Sequence, residues 1–206
     1  MYLAGQYYST VTRILGLKID LRVSKKVDSG QNYVFTANHQ NSYDILTISK
    51  AALPGVVTVG KKSIKWIPIF GVIYWLSANI MIDRKNTGSA RNTLKETLDK
   101  MKEKKLSIWF FPEGTRSYGR GLLKFKTGAF RLALEAQKAI VPVCASEMHN
   151  KVKLNRWNNG TVIVEVMDPI DLPEGMSAKQ LATHVHSIMA TKITQLNIEA
   201  EKTDNV

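Results

Sequence analysis

The sequence predicts an α/β domain with a largely parallel central sheet flanked by helices. Short apolar runs typical of buried strands alternate with longer segments whose apolar residues recur at helical spacing. Neither an internal repeat nor a long linker divides the 206 residues, a length that suits one domain with a sizeable core. We therefore expect a single domain over residues 1–206.

The predicted strands begin with residues 18–23, where Ile19, Leu21 and Val23 alternate onto one face. Further apolar runs have strand length and are bounded by turn residues. These runs cover residues 32–37, 56–59, 79–83, 106–111, 139–145 and 161–166.

Helices are predicted between these strands. The first begins with Ser42 as its cap and carries Ile45, Leu46 and Ile48 inward. The others cover residues 88–105, a segment from a Thr127 cap to Lys138, and a closing helix over 177–200.

Composition excludes several classes of protein. Hydrophobic residues make up 44% and charged residues 22%, which excludes a disordered or low-complexity chain. A single cysteine, Cys144, excludes an internal disulfide framework and a cysteine-built metal site, and its apolar strand setting predicts a buried, inert thiol. The first seventeen residues have no secretory signal pattern.

The net charge of +12 indicates anionic partners. Nucleic acid, an acidic membrane surface and phosphorylated small molecules all remain open on charge alone. The cations are dispersed and accompany no recognisable nucleic-acid motif, so we expect no nucleic-acid partner.

An uncharged run of seventeen residues, from Trp66 to Ile82, raises the question of a membrane span. A spanning helix needs about 20 apolar residues, and Pro68 and Gly71 interrupt this run. Its aromatic residues beside lysines are typical of a segment at headgroup level. We predict an element that dips into the membrane interface and continues as the strand over 79–83.

The sharpest candidate for chemistry is NHQNSYD, residues 38–44. His39 follows a predicted strand, and Asp44 falls within the first turn of the next predicted helix. A carboxylate folded back onto one imidazole nitrogen would fix the tautomer and leave the other nitrogen as a base. Spacing alone also fits a histidine that is merely hydrogen-bonded.

The second candidate is FPEGTRS, residues 111–117, in a loop rich in glycine and cations. Arg116 could bind a phosphate in bidentate fashion, and Lys126 lies just before a predicted helix N-terminus. The P-loop spacing is absent, and a solvated basic loop would show the same composition.

These two motifs resemble the HxxxxD and FPEGTR signatures of the glycerolipid acyltransferases. Two weaker blocks, GVIYWLSANIMIDR at 71–84 and IVPVCAS at 140–146, stand in the same order as in bacterial 1-acylglycerol-3-phosphate acyltransferases. The resemblance covers residues 17–198 and implies that family's acyltransferase-like α/β fold. Members generally begin with a hydrophobic membrane segment, and we expect this chain to lack it.

The resemblance also implies roles for individual residues. His39 would remove the proton of the sn-2 hydroxyl of lysophosphatidic acid, and Asp44 would orient the imidazole. The substrate would be bound by Glu113, Gly114, Thr115, Arg116, Arg84 and Lys126, and the acyl chain by Val141, Pro142 and Val143. The donor would be acyl-CoA or acyl-acyl carrier protein, and the scheme uses no metal and no cofactor.

Such an enzyme would work at the cytoplasmic face of the bacterial inner membrane, where the positive charge suits anionic lipids. Three alternatives stay open at this point: a basic binding protein, an acyltransferase for another lysolipid, and a thioesterase.

Overall fold

The computed structural model describes residues 2–61, 80–82, 87–149, 151–153 and 155–205. Within these ranges the α-helices are α1 (Tyr2–Ile14), α2 (Thr87–Glu103), α3 (Gly128–Ala136) and α4 (Ala178–Asp204). The strands are β1 (Leu17–Val23), β2 (Val34–Ala37), β3 (Val56–Lys61), β4 (Ile80–Ile82), β5 (Ser107–Phe110), β6 (Ile140–Ala145) and β7 (Gly160–Val166).

The described strands form one sheet in the order β1-β7-β6-β2-β5-β3-β4. Neighbours pair in parallel except β6 and β7, which run antiparallel. The predicted α/β class with a largely parallel sheet is therefore confirmed. Because β2 and β6 are parallel neighbours, the residues that follow them emerge at the same edge of the sheet.

Side chains alternate between the two faces of the sheet and form two cores. One core contains Val34 and Ile140 and is covered by side chains from α2, α3 and α4. The other contains Phe35 and Val141 and is covered by the segment that follows β2, including Ile48. The fold thus buries both faces, as a mostly parallel sheet requires.

The predicted helix after residue 41 is wrong. The chain instead forms two 3-10 turns, Ser42–Ile45 and Ile48–Ala51. Asn41 rather than Ser42 caps the first turn, with its side chain accepting from the backbone N–H of Tyr43. Ile45 is 36% exposed instead of inward-facing.

A similar correction applies to Thr127. It stands at the N-cap of α3 but forms no side-chain capping hydrogen bond. Ser177, in contrast, forms a complete capping box with Gln180 at the start of α4, in agreement with the predicted start of that helix.

Helix α1 was not predicted from the sequence. Gly5 packs so closely on the second 3-10 turn that an added Cβ would lie 2.1 Å from the carbonyl oxygen of Ser49. None of the described helices combines the length and the hydropathy needed to cross a bilayer. Most of the 66–82 run lies outside the described residues, and its last part forms β4, as predicted.

Candidate active site

His39 and Asp44 lie together at the edge of the sheet where β2 ends. The carboxylate oxygen Oδ2 of Asp44 contacts Nδ1 of the imidazole and also accepts the backbone N–H of Gln40 at 2.8 Å. Asp44 is buried, whereas the His39 side chain is 21% exposed. A carboxylate held at Nδ1 fixes the imidazole tautomer and leaves Nε2 as the acceptor for a proton.

Gln40 holds the turn that carries this pair. Its buried amide donates to the carbonyl oxygens of Ala145 (3.2 Å) and Ser146 (2.8 Å) and accepts from the backbone N–H of Met148 at 2.8 Å. The backbone N–H of Gln40 binds the Asp44 carboxylate. By anchoring Gln40, its side-chain amide therefore also fixes the position of this N–H. The sequence analysis did not identify this role.

Asn38 makes a second connection to β6. Its amide donates to the carbonyl oxygen of Ala145 at 3.0 Å and accepts the backbone N–H of the same residue at 2.9 Å. The side chain thus continues the pairing of β2 with β6 beyond the last paired residues. Two buried amides, one on each side of His39, therefore anchor the turn that carries His39 to the neighbouring strand.

Glu113 joins the two sequence motifs. One carboxylate oxygen accepts the backbone N–H of His39 at 2.6 Å, and the other accepts that of Leu123 at 2.9 Å. The residue is only 3% exposed. The Glu113 carboxylate therefore links the turn of residues 38–44 to the loop of the second motif. This contact could not be predicted from its position in the sequence.

The second motif closes over the turn through its backbone. Ser117 donates its N–H to the carbonyl oxygen of His39 at 2.8 Å, and Tyr118 donates to that of Gln40 at 2.9 Å. This ladder holds the backbone of Ser117 against that of His39, and the preceding residue, Arg116, has an exposed side chain. The structure thus brings the two predicted motifs together.

Gly114 and Lys126 also meet in this loop. Gly114 has a φ of 71°, and the Lys126 side chain lies directly over it. A Cβ at residue 114 would come within 2.8 Å of the Lys126 ammonium nitrogen. Glycine therefore permits both the left-handed backbone and the close approach of this cation. Thr115 is exposed next to it.

Burial is the largest influence on the pKa values of the Asp44 and Glu113 carboxyl groups. It raises the pKa of Asp44, and hydrogen bonds from the His39 side chain and from the backbone N–H of Gln40 oppose that rise. Burial likewise raises the pKa of Glu113, against the opposing bonds from the backbone N–H groups of His39 and Leu123.

The predicted acyl site at residues 141–143 does not form a surface. All three residues are buried inside β6, and Val141 and Val143 belong to the core beneath the 3-10 turns. Pro142 alternates onto the opposite face of the strand. These three side chains therefore do not share one face of the strand, and their role in an acyl site stays a prediction.

A cavity of about 260 Å³ lies elsewhere, between the two motifs and α4. Gln40, Glu113 and Ser117 line it on one side, and His186 and Ile193 of α4 on the other. None of the residues 141–143 contributes to its wall.

The other residues considered from the sequence lie away from this site or outside the described residues. Arg84 lies outside the described residues. Cys144 is fully buried, as predicted, and burial raises the pKa of its thiol. His184 is exposed on α4. Across the described part of the chain, no three His, Cys, Asp or Glu side chains are grouped to hold a metal ion.

Comparison with known proteins identifies the family. A sequence model of the Acyltransferase family matches residues 18–146, the span that contains both motifs. The chain belongs to the Acyltransferase family.

Named relatives of this acyltransferase agree with that assignment. The chain is 47% identical to the 1-acyl-sn-glycerol-3-phosphate acyltransferase of Escherichia coli, over 95% of this chain and 80% of that protein. It is 44% identical to the Haemophilus influenzae protein of the same name, over 97% and 84%. The predicted resemblance to bacterial proteins of this name is thus confirmed.

A solved structure supports the fold of this acyltransferase. The 1-acyl-sn-glycerophosphate (LPA) acyltransferase from Thermotoga maritima superposes with a TM-score of 0.72 at 22% identity. The match covers 93% of this chain and 77% of that one.

Proposed function

We propose that this acyltransferase transfers a fatty acyl group from a thioester donor to the sn-2 hydroxyl of lysophosphatidic acid, forming phosphatidic acid. The observation that carries the proposal is the His39–Asp44 pair, held at Nδ1 and joined through Glu113 to the loop that presents Arg116. The relatives that share almost the whole chain are named for the same acceptor.

In the proposed reaction, Nε2 of His39 takes the proton of the sn-2 hydroxyl while Asp44 stabilises the imidazolium. The oxygen attacks the thioester carbonyl, so that a C–O bond forms and the C–S bond breaks. The departing sulfur takes the proton from the imidazolium, which regenerates the base. The thioester is already activated, and the chain needs to supply no nucleophile of its own.

The phosphate of the acceptor would bind at the second motif. Arg116 donates one N–H to the hydroxyl of Tyr118 at 3.3 Å, and within the described residues its other N–H groups form no hydrogen bond. The planar guanidinium suits bidentate binding of a phosphate. Lys126 over Gly114 adds a second cation, and Thr115 would contact the glycerol.

Acyl-CoA and acyl-acyl carrier protein are both proposed as donors, with an anionic membrane at the cytoplasmic face of a bacterial inner membrane as the source of the acceptor. The net charge of +12 supports this setting, because lysophosphatidic acid and both donors carry negative charge.

Release of free thiol from acyl-CoA tests the function, with and without lysophosphatidic acid in detergent micelles. We expect release that depends on the acceptor and falls at least about a hundredfold in His39→Ala, the lower end for loss of a general base. His184→Ala, an exposed histidine on α4, is the matched control and should keep wild-type turnover.

Other results would point elsewhere. Release that does not depend on the acceptor would indicate a thioesterase. A folded protein that releases no thiol from either donor would contradict the proposal and favour a basic binding protein.

A further inference from the structure

Two large apolar side chains are exposed on segments that meet where α1 ends. Trp157 is 82% exposed and Ile14 is 66% exposed. The turn after Ile14 touches the loop that carries Trp157, since a Cβ on Gly16 would lie 1.6 Å from the Trp157 carbonyl oxygen. Transfer of an indole and a branched aliphatic side chain from water into an apolar phase is favourable.

The loop that presents Trp157 is tightly held. The fully buried Asn159 donates from its amide to the carbonyl oxygens of Leu15 (2.6 Å), Lys153 (3.1 Å) and Arg156 (3.2 Å). Its side-chain oxygen accepts the backbone N–H of Lys153 at 2.7 Å. Exposure of the indole is therefore a property of an ordered loop.

Three cations lie within four residues of the two apolar side chains along the chain. Arg13, Lys153 and Arg156 are all exposed. Arg156 also donates from Nε to the Asn159 side chain at 2.9 Å, which ties one of these charges to the loop. An aromatic side chain among cations is the composition that suits an anionic headgroup layer.

This surface lies at the edge of the sheet that carries the dyad. Ala145, near the end of β6, pairs with Val164 of the antiparallel β7. The start of β7 at Gly160 therefore lies at the edge where β2 and β6 end. β1 is parallel to β7, with Leu17 paired to Gly160, so the end of α1 reaches that edge too.

We infer that Arg13, Ile14, Lys153, Arg156 and Trp157, here named the Trp157 surface, bind an anionic lipid bilayer at headgroup level. The inference rests on the proposed function, because a lysophospholipid acceptor resides in such a layer. Binding there turns the edge with His39 toward the bilayer. An acidic carrier protein would also meet the cations, but the exposed indole and isoleucine favour the lipid surface.

The experiment measures binding of the full chain to vesicles of phosphatidylcholine containing about one-third phosphatidylglycerol. Cosedimentation gives the partition coefficient for wild type, Trp157→Ser and the double variant Arg13→Gln with Lys153→Gln. The matched controls lie at the opposite edge of the sheet: Val23→Ser, an exposed residue ending β1, and the double variant Lys102→Gln with Lys104→Gln.

We expect Trp157→Ser to weaken binding about tenfold. The double variant should weaken it about 25-fold, at about fivefold for each cation removed. Val23→Ser should bind vesicles nearly as well as wild type does. Lys102→Gln with Lys104→Gln should lose less vesicle binding than Arg13→Gln with Lys153→Gln. Vesicles with brominated acyl chains should also quench the tryptophan fluorescence of the wild type. The quenched part should be the part that Trp157→Phe removes, which reports on Trp157 even if another segment also binds the membrane.

Unchanged partition of both variants together with no such quenching would overturn the inference. Normal vesicle binding with a raised KM for acyl-acyl carrier protein would also overturn it, and would assign the surface to that acidic partner. Vesicle binding is measured without substrate and thiol release in micelles, so failure of the proposed function is seen separately. The Trp157 surface variants should keep wild-type turnover in micelles.

Discussion

The imidazole of His39 lies against the phenyl ring of Phe111, with ring centroids 4.1 Å apart and an interplanar angle of 23°. This stack supports the face of the ring while Asp44 holds its edge at Nδ1. A ring fixed in both ways keeps Nε2 directed outward.

Phe111→Leu removes that stack and should lower kcat about two- to tenfold, because an aromatic pair contributes about 0.5–1.5 kcal/mol. Phe111→Tyr keeps the aromatic face and is the control. Steady-state thiol release in micelles measures the effect. Equal kcat values for the leucine and tyrosine variants would contradict a positioning role for the stack.

Asp44→Asn should lower kcat about a hundredfold, since a neutral amide cannot stabilise the imidazolium. The amide is close in shape to the carboxylate, so we expect the thermal unfolding midpoint to stay near that of wild type. Turnover and thermal unfolding are measured on the same preparation. Wild-type turnover in this variant would remove the argument for a dyad.

Gln40→Met removes three hydrogen bonds and should lower the free energy of unfolding by about 3 kcal/mol, at about 1 kcal/mol each. The fraction that remains folded should also show a reduced kcat, because the N–H that binds Asp44 loses its anchor. Asn159→Leu is the matched control: another buried amide whose loss should reduce stability alone. The measurements are urea unfolding and kcat in micelles at a temperature where both variants are folded. A normal kcat in Gln40→Met would limit Gln40 to a structural role.

Glu113→Gln should change the pH dependence of stability. Burial raises the pKa of Glu113, so the folded protein binds that proton more tightly than the unfolded chain does. The free energy of unfolding therefore falls as pH rises from the ordinary glutamate pKa, about 4.3, through the raised pKa of the folded state. The glutamine variant should show a shallower fall across that window, measured by chemical denaturation at several pH values. Glu135→Gln, which alters an exposed carboxylate on α3, is the control, and identical slopes for all three proteins would contradict the prediction.

Arg116→Ala should raise the KM for lysophosphatidic acid at least about tenfold, because hydrogen bonds to a charged group contribute about 1.5–3 kcal/mol. Arg116→Lys keeps the charge but not the planar fork and should give an intermediate value. Arg131→Ala removes an exposed arginine on α3 and is the control. Initial rates at varied acceptor concentration measure KM, and an unchanged value in Arg116→Ala would count against its binding the phosphate.

Much of the fold follows from the sequence because its strands have strong local signals. The predicted strands at 56–59, 139–145 and 161–166 overlap β3, β6 and β7. Their short apolar runs favour a buried strand over other local structures. The prediction of a helix at Ser42 was wrong. This short segment, rich in polar residues, forms a 3-10 turn that brings Asp44 back to His39. Helix α1 was missed, and its close packing through Gly5 on a turn far along the chain is a contact that no local pattern indicates.

The candidate site shows the same division. His39, Asp44 and the glycine- and cation-rich loop stand in contiguous motifs, so their proximity could be predicted. The contacts of Gln40 and Glu113 connect groups far apart in sequence, and no local pattern indicates such pairings. The acyl site assigned to 141–143 stays a prediction, because apolar character alone does not separate a ligand wall from a strand core.

The anchoring of Gln40 has a consequence for the order in which activity can appear during synthesis. His39 and Asp44 leave the ribosome almost together, whereas the carbonyl groups that hold Gln40 come more than 100 residues later. Contacts across such sequence separation form late, after the loop between them has closed. A nascent chain that ends before β6 therefore has His39 and Asp44 but lacks the carbonyl groups that anchor Gln40. Under the proposed function, competence for the reaction arises only once that strand has docked.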